Sequence, residues 1–192
     1  MAILPINTFP DAVLRQRAEE VADFDAALER LVSDMLDTMY DAPGVGLAAN
    51  QIGLLMRVAV IDVDYEIESD EENTDPAPRK YKGKNPRVFV NPVITKRTGA
   101  TPFKEGCLSV PGFYEDVKRA VEVDVTYQDI KGTTHTLHAT GLLAIALQHE
   151  VDHLDGRLFV DHLSPIKRSL IQSKVKKERA RGFERSKFHV EL

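Results

Sequence analysis

The stretch "TGLLAIALQHEVDHLDG", Thr140–Gly156, restricts the fold more than any other part of the chain. Read as a helix, with about 100° between successive residues, it sets Leu142, Ile145 and Ala146 on the side of His149. Leu143, Leu147, Val151 and Leu154 fall on the opposite side. A helix that is apolar on two sides has no face to give to solvent and must be buried. The rest of the chain therefore has to cover it, with Thr140 standing where an N-cap is expected. His149 and His153, four residues apart, differ by about 40° in direction and present both imidazoles to one point. Their ring nitrogens need partners there, because an unpaired buried polar group costs about 1–3 kcal/mol.

The covering material reads largely as strands. Arg57–Val63 is rich in β-branched residues, and Val88–Val90 and Val93–Thr95 are two short strands separated by Asn91-Pro92. Ala120–Gln128 sets Val121, Val123, Val125 and Tyr127 on one side, the alternation of a half-buried antiparallel strand, and Thr133–Ala139 is its hairpin partner. Before them, Phe24–Tyr40 spaces Leu28, Leu31, Val32, Met35, Leu36 and Met39 by threes and fours, as an amphipathic helix capped by Asp23 or Asp25 and stopped by Pro43-Gly44. Ser164-Pro165 opens a last helix to about Arg181, with Ile166, Leu170, Ile171 and Val175 expected inward. The fold expected is α+β: one domain over residues 1–192, with antiparallel or mixed sheets around a central buried helix, an N-terminal helix and a basic C-terminal helix. Residues 64–85 have turn composition and little to bury, and read as a mobile insertion.

Composition bounds the setting. With 43% hydrophobic residues in 192, there is enough to build a core, and no apolar run approaches the roughly 20 residues of a membrane span. The N-terminus has no signal-peptide pattern. A single cysteine, Cys107, excludes a disulfide framework and points to a reducing cytosol. Charge is uneven: Ser164–Leu192 carries nine Lys/Arg against three Asp/Glu, whereas Ile61–Asp75 carries eight acidic residues and no basic one. The basic end suits a nucleic-acid surface, the acidic run a solvated loop.

His149-Glu150-Val151-Asp152-His153 is an H-E-x-x-H pattern: two imidazoles on one helix face for a metal and a glutamate for proton transfer. A lone core histidine is more often structural; the paired spacing with an adjacent acid favours a metal. Glu150 projects about 100° from His149, so it reaches a water at the metal rather than the metal itself. A catalytic site of this type takes three protein ligands and keeps one position open. Asp152, Asp155 and Asp161 could supply the third, yet each has an easy surface role; Cys107, in "EGCLS", is the stronger candidate. His135, His138, His162 and His189 show no comparable arrangement and read as structural.

"GVGLAANQ" (Gly44–Gln51), "EGCLS" (Glu105–Ser109) and "QHEVDH" (Gln148–His153) resemble, in order, the three motifs of the bacterial peptide deformylases. The similarity extends over most of the chain, including "DAVLR" (Asp11–Arg15) and the long helix before the first motif. It implies that Cys107, His149 and His153 bind one divalent metal with a water in the fourth position. Fe²⁺ is the ion implied in the cell; Zn²⁺, Ni²⁺ and Co²⁺ also suit a Cys/His₂ set. It implies Glu150 as general base and then acid, with the Gln51 amide and the Leu108 backbone N–H as oxyanion donors. Gly44, Val45 and Gly46 would run beside the substrate main chain, the two glycines permitting close approach and unusual dihedrals. Leu142, Ile145 and Ala146, on the metal-facing side of the helix, are placed to wall a pocket for methionine, and Glu105 to close the base of the site.

The implied reaction releases formate from N-formyl-methionyl nascent peptides. Ribosome docking through the basic terminal helix, a monomeric state and no membrane association are the partner expectations. Two departures stand out: residues 64–84 look longer than in compact members, and Phe113-Tyr114-Glu115 occupies a place where many relatives carry a basic residue. Two other readings compete. An H-E-x-x-H metallopeptidase would cleave unformylated peptides, and a non-catalytic metal- or nascent-chain-binding module would close the metal with a fourth ligand.

Overall fold

The computed structural model describes residues 2–68 and 80–180. At its centre is the helix that the double-sided apolar pattern requires, α2, Gly141–Leu154. It lies against a five-stranded antiparallel sheet in the order β1 (Gly46–Ala48), β2 (Val58–Ile61), β5 (Arg87–Thr98), β8 (Glu122–Gln128) and β9 (Thr134–Thr140). Ala144, Ala146 and Leu147 of α2 share one core cluster with Ile61, Phe89, Val123 and Val125 of the sheet. Leu154, at its far end, packs with Ala18, Ala48 and Ala59. Two smaller pairs complete the strands: β3 (Glu66–Glu68) with β4 (Lys80–Lys82), and β6 (Thr101–Glu105) with β7 (Glu115–Arg119).

The ends of α2 are set by glycines. Thr140 occupies the N-cap position, but its side chain makes no capping bond. Gly141 turns the chain instead, with φ +58° directly between β9 and the helix. Gly156, at φ +73°, ends it, and a Cβ there would lie 2.7 Å from the carbonyl oxygen of Arg15. Both positions need the left-handed freedom that glycine supplies. The first long helix, α1 (Ala26–Asp41), is capped as expected by Asp25, whose Oδ1 accepts from the N–H groups of Ala27 at 2.9 Å and Leu28 at 3.0 Å. Its buried stripe, Leu28, Val32, Met35 and Met39, packs on Leu47, Val58, Val60 and Val90.

Several expectations change. The two short strands around Asn91-Pro92 are one strand, β5, continuous across a bulge. Asn91 sits there at φ +52°, a conformation asparagine tolerates, held by side-chain bonds with the Val21 backbone (2.8 and 2.9 Å) and with Gln128 Oε1 (2.7 Å). Val121, expected inward, precedes β8 and is exposed, while Val123 and Val125 are buried. The 64–85 insertion is not merely a loop, since β3 and β4 pair at its two ends; residues 69–79 lie outside the described residues. The last helix, α3 (Pro165–Ala180), buries Ile171 and Val175 among its described side chains, against Phe9, Leu14 and Phe159. Ile166 and Leu170 are exposed, because a narrow stripe of α3 rests on the core and they point away from it, Leu170 about 100–140° and Ile166 about 140–180° round from Ile171 and Val175. Residues 181–192, including His189, lie outside the described residues. No described helix is long and apolar enough to cross a membrane.

Candidate metal centre and active site

Three stretches distant in sequence meet on one side of α2: the loop and strand at 44–51, the turn after β6 at 105–109, and the helix itself. The Sγ of Cys107 lies 3.1 Å from Nε2 of His153, which is 3.2 Å from Nε2 of His149. The three donor atoms all fall within 4.8 Å of one another, and no other comparable cluster occurs among the described residues. Cys107 and His153 are buried and His149 nearly so.

The geometry behind His149 fixes its ring. Its Nδ1 is 2.9 Å from Glu105 Oε2, which leaves Nε2 to face the thiol and the second imidazole. Glu105 is in turn gripped by Arg119, with Nε to Oε1 at 2.5 Å and Nη2 to Oε2 at 3.0 Å. Arg119 Nη1 reaches Asp152 Oδ2 at 2.5 Å, and His162 Nε2 meets that same oxygen at 2.7 Å. Burial alone would raise the Glu105 pKa; the bonds from Arg119 and His149 outweigh it and bring the carboxyl down to about 2. Asp152 is likewise held at about 2 against its burial, by His162 and Arg119. His153 lacks such support: its Nδ1 is buried with no partner among the described residues.

Glu150 behaves in the opposite way. Its side chain is 4% exposed, Oε2 has no partner among the described residues, and burial lifts its pKa to about 7. It lies so close to β1 that a Cβ on Gly46 would stand 2.3 Å from its Oε1. Gln51 is held at the other side. Its Oε1 accepts from the Ala48 N–H at 2.8 Å, and Nε2 points to Ser109 Oγ at 3.2 Å and Cys107 Sγ at 3.8 Å. The Leu108 N–H, next to Cys107, has no protein acceptor among the described residues. A cavity opens in front of these groups, lined by Gly44, Val45, Gly46, Phe103, Leu142, Ile145 and Ala146, together with Gln51, Glu105, Cys107, Leu108, His149 and Glu150.

The donor set fits one divalent cation. A thiol and two imidazoles suit Zn²⁺, Fe²⁺, Co²⁺ or Ni²⁺, and a cation deprotonates a coordinated thiol outright. Three donors at the edge of a cavity leave a position open, whereas closed structural zinc sites use four protein ligands. The alternative carboxylates are committed elsewhere: Asp152 to Arg119 and His162, Asp155 to Arg57 at 2.8 Å, and Asp161 to Arg15 and the Leu158 N–H. His135 pairs with Asp129 and His138 with Asp124, in keeping with structural roles.

The site residues expected from the sequence line this one cavity except His153, which is buried behind it against Cys107 and His149, and two expectations need adjustment. Gly44 and Gly46 do not adopt positive φ, so the unusual dihedrals expected of them are absent. Close approach is what they provide: a Cβ on Gly46 would collide with Glu150, and one on Gly44 would lie 2.7 Å from the Leu108 side chain. Glu105 lines the cavity, but both its oxygens are engaged by Arg119 and His149, so it works from behind the imidazole. Arg119 itself escaped the sequence reading. It sits in the charged run "EDVKR" of β7, and the only hint is that Val117 and Arg119 alternate onto one face, which is buried.

At the level of class, the chain is a hydrolase organised around a single Cys/His/His cation site. The comparisons carry this to a family. The polypeptide deformylase family model matches residues 3–169. Peptide deformylase 2 of Xanthomonas axonopodis pv. citri is 48% identical over 182 residues, covering 93% of this chain and 98% of the relative. The crystal structure of a peptide deformylase from Legionella pneumophila superposes with a TM-score of 0.79 at 43% identity, over 95% of this chain and 99% of that one. A peptide deformylase from Synechococcus elongatus in complex with actinonin gives a TM-score of 0.76 at 39% identity, over 90% and 88%. The chain belongs to the polypeptide deformylase family, and its activity is that of a peptide deformylase.

Proposed function

We propose that the chain hydrolyses the formyl group from N-formyl-methionyl nascent polypeptides, with Glu150 moving the proton and with Gln51 and Leu108 receiving the developing oxyanion. The observation that carries this reading is the Glu150 carboxylate: buried, unpartnered at Oε2, and one residue from His149 on the same cavity. A divalent cation held by Cys107, His149 and His153, Fe²⁺ in the cell on this reading, supplies Lewis acidity toward the formyl oxygen and acidifies water toward neutrality. Glu150, whose pKa burial raises to about 7, takes a proton from the attacking water and returns it to the leaving amine nitrogen. On this reading the Leu108 N–H and the Gln51 Nε2–H, the latter turning from its bonds to Ser109 Oγ and Cys107 Sγ, donate to the oxygen that gains charge, and each such donor is worth about 10²–10³ in rate.

Binding follows from the walls. Among the described residues β1 pairs with β2 alone, and its other edge, continued by Gly44 and Val45, suits an extended peptide. Leu142, Ile145 and Ala146, with Phe103 also in the lining, form an apolar slot that suits the unbranched, polarizable methionine side chain. A formyl carbon carries only hydrogen, so a close-walled site rejects acetyl by sterics. A cytosolic setting agrees with one buried, unpaired thiol. Docking of α3 on ribosomal RNA is supported by its exposed Lys174, Lys176 and Lys177 beside exposed Ile166 and Leu170.

The test is formate release from formyl-Met-Ala by Fe²⁺- or Ni²⁺-loaded protein without oxygen, with acetyl-Met-Ala as control. Formate from the first and no cleavage of the second is expected. Hydrolysis of unformylated peptides would favour the metallopeptidase reading, and a fourth protein ligand with no formate would favour the binding module.

A further inference from the structure

Asp62 lies just past β2 at 1% exposure, and among the described residues no Lys or Arg side chain pairs with it. Its charge is met instead by four donors. Oδ1 accepts from the Asp64 N–H at 3.0 Å, and Oδ2 accepts from Tyr40 OH at 2.8 Å, the Lys84 N–H at 2.9 Å and the Asn85 N–H at 3.1 Å. One carboxylate therefore fastens the last turn of α1 to both ends of the 64–85 insertion. The Asp62 backbone N–H donates at 2.9 Å to the carbonyl oxygen of Val45, in the cavity-lining stretch. That stretch is tied to α1 as well, through the Gly44 N–H to the Met39 carbonyl at 2.9 Å. The fit is tight on the insertion side, since a Cβ on Gly83 would lie 2.2 Å from the Tyr40 hydroxyl oxygen.

We infer that Asp62 is a positioning residue: it sets the height of the Gly44–Gly46 edge over the cavity and couples the insertion to that edge. The inference rests on the reading above that the substrate's main chain lies along this edge. The metal donors and Glu150 hang from α2 and from the turn after β6, not from Asp62. Loosening the clasp thus displaces the peptide-binding edge while leaving the cation and its base attached to other elements. The effect falls on peptide binding more than on bond breaking.

The experiment compares full-length, metal-loaded Tyr40→Phe, Gly83→Ala and Asp62→Asn with wild type, using formyl-Met-Ala-Ser and the shorter formyl-Met amide. Tyr40→Phe removes one hydroxyl and is the variant that keeps the test valid if Asp62→Asn does not fold. KM for the tripeptide is expected to rise roughly 3- to 10-fold, the range of one lost or misplaced hydrogen bond. Metal content should stay at the wild-type level, kcat should change by less than about twofold, and KM for the amide should move less than for the tripeptide. A purely structural role would lower kcat in proportion to the fraction of folded enzyme at constant KM; that result, or an unchanged KM, overturns the inference alone. Wild-type protein that releases no formate would overturn the functional reading and this inference together.

Discussion

Glu105 Oε2 stands 2.9 Å from Nδ1 of His149, and this contact decides which nitrogen of the ring faces Cys107. The carboxylate stays ionised there because Arg119 offsets its burial. Orienting partners of this kind are worth about 10–100-fold in metal affinity. Glu105→Gln is therefore expected to bind the cation about 10–100-fold more weakly in chelator competition. Arg119→Met should act on stability as well. It strips a carboxylate that is 3% exposed of its main counter-charge, and breaking such a pair costs about 3–5 kcal/mol. Denaturant melts of the loaded protein measure it; a loss within experimental error would mean that Arg119 is dispensable.

Glu150 and Gly46 form a second testable pair. Glu150→Gln keeps the shape of the side chain and removes the proton transfer proposed for it, so the metal should remain while turnover drops by about 10²–10⁴. Gly46→Ala should do part of the same damage without touching the carboxylate, because the new methyl would stand 2.3 Å from Glu150 Oε1 on a buried element. Gly44→Ala meets only the end of the Leu108 side chain at 2.7 Å, which can turn aside. The expected order of kcat is wild type, then Gly44→Ala, then Gly46→Ala, with equal metal content throughout. A Gly46→Ala enzyme as active as Gly44→Ala would contradict the packing argument.

The contrast between these residues shows what the sequence made legible. H-E-x-x-H and the cysteine in "EGCLS" declare themselves because coordination demands particular atoms at particular spacings. The helix beneath them declares itself because burial on two sides leaves no polar face. Arg119 stayed hidden: an arginine in a charged strand looks like solvent-facing polarity until the β6–β7 pairing turns it inward onto Glu105. Asn91 misled for a related reason, since Asn-Pro usually breaks a strand, and only the bonds to Val21 and Gln128 make it a bulge. In both cases the deciding contact comes from residues at least 14 positions away.

Asp152 gives a pH prediction. Its folded-state pKa is lowered from 3.8 to about 2, with burial opposing and His162 and Arg119 prevailing. A depressed carboxyl stabilises the fold fully above its unfolded pKa and loses that contribution as pH falls through the folded value. The window is therefore pH 4 down to 2, and the loss is on the order of 2 kcal/mol. With chelator in both samples, so that metal release does not enter, wild-type stability should fall more steeply across this window than that of Asp152→Asn. Parallel slopes would show that the carboxylate is not held as the geometry indicates.

α3 separates packing from docking. Ile171 and Val175 are buried with Phe9, Leu14 and Phe159, whereas Ile166 is 75% and Leu170 58% exposed. Ile171→Ala is thus expected to cost about 2–5 kcal/mol, and Ile166→Ala to stay within about 0.5 kcal/mol of wild type. Deleting the chain after Ser164 would strip both buried residues from the core, so a truncation that lost ribosome binding would report unfolding as readily as lost contact. Charge reversal at exposed Lys174, Lys176 and Lys177 avoids that confusion. The triple Lys→Glu variant should keep the wild-type melting temperature and formate release from a short peptide, yet co-sediment with ribosomes less and with a shallower salt dependence. Equal co-sedimentation at every salt concentration would leave α3 with its packing role alone, since phosphate contacts by these lysines are what the salt slope reads.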